Sequence, residues 1–189
     1  MKKIVLASAS PRRQELLKDI VADFSVVPSD ADEKVPENLS ICDIPQYLAL
    51  LKARDVAKNY SDAVVIGSDT IVVIDDKVLG KPKDAQDAYY MLKLLSGKKH
   101  MVMTGCALVC GDKEMSFTET TEVEFFELTD EEIDSYILSK DPFDKAGAYG
   151  VQTQGKTLVK GIYGDYYSVV GLPVGRLKRE LESFLIAVE

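Results

Sequence analysis

Apolar and polar positions fall into short blocks that predict strands and helices in mixed order. Residues 3–7 (Lys-Ile-Val-Leu-Ala) predict a short buried strand. Pro11 then opens a helix whose apolar stripe is Leu16, Leu17 and Ile20. Residues 24–28 predict a second strand, and the acid-rich stretch 29–40 a polar loop. An amphipathic helix carrying Lys52 is expected over 44–58. The β-branched runs 63–66 and 71–74 lie on either side of Gly67-Ser68-Asp69-Thr70, and Asp75-Asp76-Lys77 makes a turn into Val78-Leu79. Ala85, Ala88, Met91, Leu92 and Leu95 mark a helix that Gly97 ends. Two long strands over 101–110 and about 113–128 are joined at Gly111-Asp112. Thr129 with Glu132 forms a capping box for a helix that turns Ile133, Tyr136 and Ile137 inward. A Gly-rich loop over 147–155, strands near 157–163 and 166–170, and a terminal helix from Pro173 through Leu177, Leu181, Phe184 and Leu185 complete the chain.

Strands and helices do not alternate strictly as βαβ, and long hairpin strands sit mid-chain. The expectation is an α/β protein with a mixed, partly antiparallel sheet rather than a doubly wound dinucleotide-binding domain. No repeat, low-complexity segment or Gly/Ser linker divides the 189 residues, which suit one domain or two closely joined lobes.

Charge narrows the function classes. Lys plus Arg total 23 and Asp plus Glu 31, for a net charge of −8. Such a chain repels polyanions as a whole, so extended DNA or RNA binding is not expected. A small anionic ligand would need a local basic pocket. No apolar run approaches the ~20 residues that span a bilayer, and the start is too short in apolar residues for a secretory signal. Cys42, Cys106 and Cys110 lack metal-ligand spacing, and the single histidine, His100, follows Lys98-Lys99 as a loop-end surface residue would. Reduced, mostly buried thiols in a cytoplasmic protein are the expectation.

The best candidate for that pocket is Ser8-Ala9-Ser10-Pro11-Arg12-Arg13, where a strand gives way to a helix. The first turn of a helix exposes unpaired N–H groups and a partial positive charge. Arginines at that end run against the dipole by roughly half a kcal/mol each unless an anion offsets it. Two hydroxyls, free N–H groups and two guanidinium forks make a phosphate cradle; the plainer alternative is Ser10 as an N-cap beside solvated arginines.

Asp69 is the second candidate, a carboxylate among residues that want burial. That is costly unless the group is paired or holds a cation. It could hold a divalent metal or act as a base for water, or be a turn residue bonded to its own backbone. Lys81, fixed before Pro82, suits a point-charge phosphate contact or simply faces solvent. Glu33 belongs to the acidic run 30–33, which is otherwise a solvated face. Lys52 lies among Leu50, Leu51 and Ala53, with its stem partly buried. Gln152 closes a stretch of small residues from Asp144 and offers both donor and acceptor, as a base edge requires, or as any surface Gln does. Neither a Gly-x-x-x-x-Gly-Lys-Ser/Thr loop nor a Gly-x-Gly-x-x-Gly turn is present, which argues against kinase and ATPase chemistry.

Taken together, Ser8 to Arg13 with flanking residues 6–17, Lys52-Ala53, the 67–70 and 79–82 segments, 95–97, 144–152 and 169–173 resemble the Maf family of nucleotide pyrophosphatases. They run in the family's order over nearly the whole chain. The resemblance implies an elongated α/β fold like that of inosine-triphosphate pyrophosphatases, with two lobes around a central cleft. It also implies cleavage between the α- and β-phosphates, giving a nucleoside monophosphate and pyrophosphate. Asp69 matches the family's proton acceptor; Arg12, Thr70 and Gln152 match its specificity positions; Ser8, Arg13, Lys52 and Lys81 match its phosphate-site positions. Glu33 aligns with an acidic metal-site residue, beside Asp69, for Mg²⁺ or Mn²⁺. Gln152 with Thr70 looks like the branch acting on dTTP and UTP, although residues 153–156 replace a more usual Gly-rich continuation. The resemblance allows a homodimer. The rival functions are the same chemistry on modified or purine triphosphates, and a non-catalytic nucleotide sensor linked to cell division.

Overall fold

A computed structural model of the chain describes residues 2–188. Among these residues, seven strands form one open, mixed sheet in the order β2-β1-β3-β5-β6-β7, with β4 paired to β3. The strands are β1 (Lys3–Leu6), β2 (Ser25–Val26), β3 (Ala63–Ile74), β4 (Lys77–Leu79), β5 (Lys99–Cys110), β6 (Lys113–Phe125) and β7 (Val159–Tyr163). The helices are α1 (Pro11–Lys18), α2 (Ile44–Ala57), α3 (Ala85–Leu95), α4 (Asp130–Leu138), α5 (Tyr166–Val170) and α6 (Val174–Val188). The mixed α/β class expected from the pattern is therefore observed: β1 runs parallel to both β2 and β3, while β3–β4 and β6–β7 are antiparallel.

The chain divides into two compact units. The first runs through Asp69 and includes Thr104–Glu119 and the chain from Gly171 on; the second holds Thr70–Met103 and Thr120–Val170. In the first, parallel pairing requires a crossover between neighbouring strands, and α1 and α2 provide the two needed. Leu6 pairs with Ile66, and the Ala7 N–H continues the ladder to the Ile66 carbonyl at 2.8 Å. Two residues beyond that register lie Ser8, past the carboxyl end of β1, and Ser68, within β3 just after its parallel pairing to β1 stops; the carboxyl ends of parallel strands are where such sheets present ligand sites.

The core here is built for close approach. Ala49, Ala53 and Val56 of α2 pack on Val5, Ala7, Ala63, Val65, Ala107 and Val109 of the sheet. Two glycines let the helix down onto it: a Cβ on Gly67 would run into the Ala49 carbonyl, and one on Gly105 into the Pro45 backbone. In the second unit, α3 buries Ala88, Met91, Leu92 and Leu95, and α4 buries Ile133 and Tyr136. The capping box at Thr129 is formed: its hydroxyl accepts from Glu132 N–H, and Glu132 accepts from Thr129 N–H at 2.8 Å.

Four expectations about these elements are corrected. The runs 63–66 and 71–74 are one continuous strand, so Asp69 is not a turn residue. β1 pairs the first half and β4 the second, and the intervening polar side chains find partners of their own. The strand expected over 166–170 is helix α5. Asp165 overrides the β propensity of Tyr-Tyr-Ser-Val-Val by accepting from Tyr167 N–H at 2.8 Å and, through its carbonyl, from Ser168 Oγ at 2.8 Å. The second strand shrinks to Ser25–Val26, because its partner β1 ends at Leu6, whose carbonyl accepts from Val27 N–H at 3.0 Å; α1, likewise, ends at Lys18, short of Ile20.

Candidate functional site

The first unit gathers Ser8, Arg13, Glu33, Lys52 and Asp69. Helix α1 begins with no acid in its first turn, and its Ser10 N-cap makes no side-chain cap bond. The plain N-cap alternative thus loses its hydrogen bond. Ser8, buried at 7% exposure, instead faces inward: its Oγ accepts from Ser10 N–H at 3.3 Å and from Arg13 Nη1 at 3.3 Å. Arg13 Nε donates to the Gly171 carbonyl at 2.9 Å, and Ser68 Oγ donates to the same oxygen at 3.1 Å. Gly171 holds φ 126°, a conformation open to glycine, which lets this carbonyl serve both donors.

That brace fixes the guanidinium fork. Burial draws the Arg13 pKa below its ordinary value, and the Asp69 charge is the strongest influence pulling it back up. Glu33 adds to that upward pull and Arg12 opposes it, so all three groups act on one guanidinium. Beneath it, Cys106 Sγ lies 3.9 Å from Ser68 Oγ. Burial pushes that thiol up to about 12, so it stays protonated and is no nucleophile.

Asp69 is 9% exposed on β3. Its Oδ1 accepts from Lys52 Nζ at 2.6 Å, and the same ammonium lies 2.9 Å from Glu33 Oε2. Lys52 keeps 14% of its side chain exposed and Glu33 52%. The cause is the close approach of α2 at Gly67, since Lys52 directly precedes Ala53 on the helix. Two carboxylates therefore converge on one cationic point. Among the described residues no group of three or more His, Cys, Asp or Glu is assembled that could hold a metal.

Thr70, Lys81 and Gln152 belong to the second unit. Lys81 and Gln152 are exposed, and Thr70 is partly so. The Asp144–Gln152 segment is tied down from several sides. Gly147 N–H donates to the Gly80 carbonyl at 3.0 Å, beside Lys81, and Gly147, at φ 67°, lies so close to Val72 that a Cβ would approach it to 2.9 Å. Lys145, 7% exposed, donates to Asp144 at 2.7 Å and to the Asp141 carboxylate at 3.0 Å. Asp141 also accepts from Tyr136 at 2.7 Å and Thr153 at 2.6 Å. Burial works to raise the Asp141 pKa, but the bonds from Thr153, Tyr136 and Lys145 outweigh it and hold the carboxyl below its usual range. Thr153, the departure from the Gly-rich continuation, thus ties the chain directly after Gln152 to Asp141.

His100 is corrected from a surface residue to a buried one, 3% exposed. Its Nε2 lies 2.8 Å from Tyr149 Oη, and its ring stacks edge-on with Phe125 and Tyr149 behind the same segment. The sequence reading also missed Ser68, Gly171, Tyr136 and Asp141. Ser68 and Gly171 become visible through their bond to each other, distant in sequence, whereas the Tyr136–Asp141 bond joins α4 to the turn directly after it. Cys106 and Cys110 are buried and Cys42 exposed, all as free thiols.

A Maf-like protein family model matches residues 3–184. A Bacillus cereus protein named dTTP/UTP pyrophosphatase is 53% identical over 188 residues, covering 100% of this chain and 98% of that one. One of the same name from Bacillus cytotoxicus is 54% identical over 184 residues, covering 97% and 96%. In fold, the chain is similar to the Ham1 protein of Staphylococcus aureus, with a TM-score of 0.56 at 16% identity over 96% of this chain and 99% of that one. The HAM1 protein of Coxiella burnetii gives 0.54 at 16% over 99% and 100%. With a family match spanning almost its full length and relatives above half identity, the chain belongs to the Maf-like protein family.

Proposed function

We propose that this protein is a nucleoside triphosphate pyrophosphatase that hydrolyses dTTP and UTP to the monophosphate and pyrophosphate. The names of its relatives at 53% and 54% identity support the substrate class. The observation that carries the chemistry is the nearly buried Asp69 carboxylate held at 2.6 Å by Lys52, in a unit where Ser8 and Arg13 are braced at a helix start lacking acids.

Phosphoryl transfer asks a protein mainly for positioning and charge stabilisation. Ser8, Arg12, Arg13, Lys52 and Lys81 are assigned to the phosphates, whose charge the cations offset as it shifts toward the leaving pyrophosphate. Asp69 takes the proton from the water that attacks the α-phosphorus, and the α–β bridging oxygen leaves with pyrophosphate. Thr70 and Gln152, with Arg12, are assigned to base selection. A divalent ion, Mg²⁺ or Mn²⁺, would be held by Asp69 and Glu33 and would supply further charge neutralisation at the phosphate oxygens. Their two carboxylates fit it, because they already face a single cation, and Mg²⁺ is ordinarily bound through one or two carboxylates plus substrate phosphates. The cytoplasm suits three free thiols and a nucleotide substrate. Among the described residues no helix is long and apolar enough to cross a membrane.

The deciding experiment is a panel of standard and modified triphosphates assayed for pyrophosphate release with Mg²⁺ or Mn²⁺. Highest kcat/KM on dTTP and UTP is expected. A preference for purine or modified bases would move the substrate class, and binding without release would make the protein a sensor.

A further inference from the structure

We infer that Lys52 is an internal counter-ion that keeps Asp69 and Glu33 closed to a divalent cation until a triphosphate arrives. This rests on the metal role proposed above for those two residues. Asp69 is nearly buried, and a buried carboxylate without a cation is costly. A second carboxylate aimed at the same point adds repulsion. Lys52 Nζ relieves both, at 2.6 Å from one and 2.9 Å from the other.

An ammonium and a metal ion cannot share that position. A metal arriving alone must break the Lys52–Asp69 pair and leave a poorly solvated ammonium with no replacement partner. A triphosphate supplies the replacement. Lysine is a compact charge on a flexible four-carbon stem, and only 14% of this side chain is exposed, so its motion is a swing of the tip from carboxylate to phosphate. Once Nζ turns to a phosphate oxygen, the carboxylate pair is released to the cation. Metal and nucleotide then bind with positive coupling, which is reciprocal by linkage. Lys52 is the element that couples them, in addition to being a phosphate contact.

The test is Mn²⁺ binding without nucleotide, followed by the paramagnetic resonance of free Mn²⁺, in the wild type, Lys52→Met and Lys52→Met/Asp69→Asn. Thermal melts confirm that each is folded, and Lys52→Gln substitutes if Lys52→Met is not. Lys52→Met is expected to bind Mn²⁺ about tenfold or more tightly than the wild type, since no buried pair must be broken. Asp69→Asn should remove the gain. A non-hydrolysable dTTP analogue should tighten Mn²⁺ binding in the wild type and much less in Lys52→Met. Equal Mn²⁺ affinity in folded wild type and Lys52 variants, or a gain that survives Asp69→Asn, overturns the counter-ion role. Pyrophosphate release by the wild type is measured separately, so the hydrolase assignment can stand while this role fails.

Discussion

Lys52 Nζ stands 2.6 Å from Asp69 Oδ1, with 14% and 12% of the two side chains exposed. A carboxylate so placed has an ammonium for its partner where little water reaches it. Asp69→Asn keeps the shape and removes the proton acceptor. Turnover is expected to fall by about two orders of magnitude or more, the size of a general-base effect. Nucleotide affinity, measured by calorimetry without divalent metal, should change only a few-fold. Near-normal turnover would take Asp69 out of the chemistry.

The pair exists because α2 sits directly on β3 at Gly67. Gly67→Ala forces a methyl against the Ala49 carbonyl and Ala53 Cβ. Denaturant unfolding should show a loss of about 1–3 kcal/mol, the usual cost of overpacking, together with reduced turnover as Lys52 is displaced. Gly80→Ala, where a Cβ meets nothing within 4 Å, should stay within about 0.5 kcal/mol of the wild type. Equal stability of the two variants would mean the helix has room that the packing denies.

Gln152 sits at the end of a segment pinned by Asp141, Lys145, Thr153 and Gly147. If it reads the base, Gln152→Ala should raise KM for dTTP and UTP several-fold while kcat changes little, the mark of lost uniform binding. Discrimination against other bases should narrow in the same assay. An equal fall in kcat for every base would assign the residue to the reacting phosphates instead.

His100 gives a pH dependence of stability. Burial lowers its pKa from 6.5 to about 4. The folded protein therefore refuses a proton that the unfolded chain accepts between those values. The contribution is complete above pH 6.5 and is lost as pH falls toward 4, by about 3 kcal/mol in all. Urea melts of wild type and His100→Gln across that window should show the wild type losing more stability on acidification. Parallel curves would mean that His100 protonates equally well in both states.

Much of this was legible in the chain. The 3.6-residue stripes of α3 and α6 and the Thr129 capping box are local signals, and they placed those helices well. The Ser8–Arg13 helix start showed itself by its misplaced arginines. Its brace did not, because the Gly171 carbonyl is 158 residues from Arg13 in sequence. His100 was misplaced by the lysines before it; yet β5 alternates from its first residue, with Lys99 and Met101 exposed and His100 and Val102 buried. Period two along the strand outweighs local polarity. Tyr166–Val170 failed in the opposite sense, where one capping aspartate decided the backbone. The Lys52–Asp69 pair depends on how far α2 descends, which small residues at 49, 53, 67 and 105 permit but no local pattern announces.

Water attack at the α-phosphorus is the central claim, and isotope position tests it most directly. The protein is given dTTP in heavy-oxygen water, and the products are separated and weighed by mass spectrometry. The label is expected wholly in the nucleoside monophosphate, with unlabelled pyrophosphate. Label in the pyrophosphate, or release of orthophosphate with a nucleoside diphosphate, would contradict it.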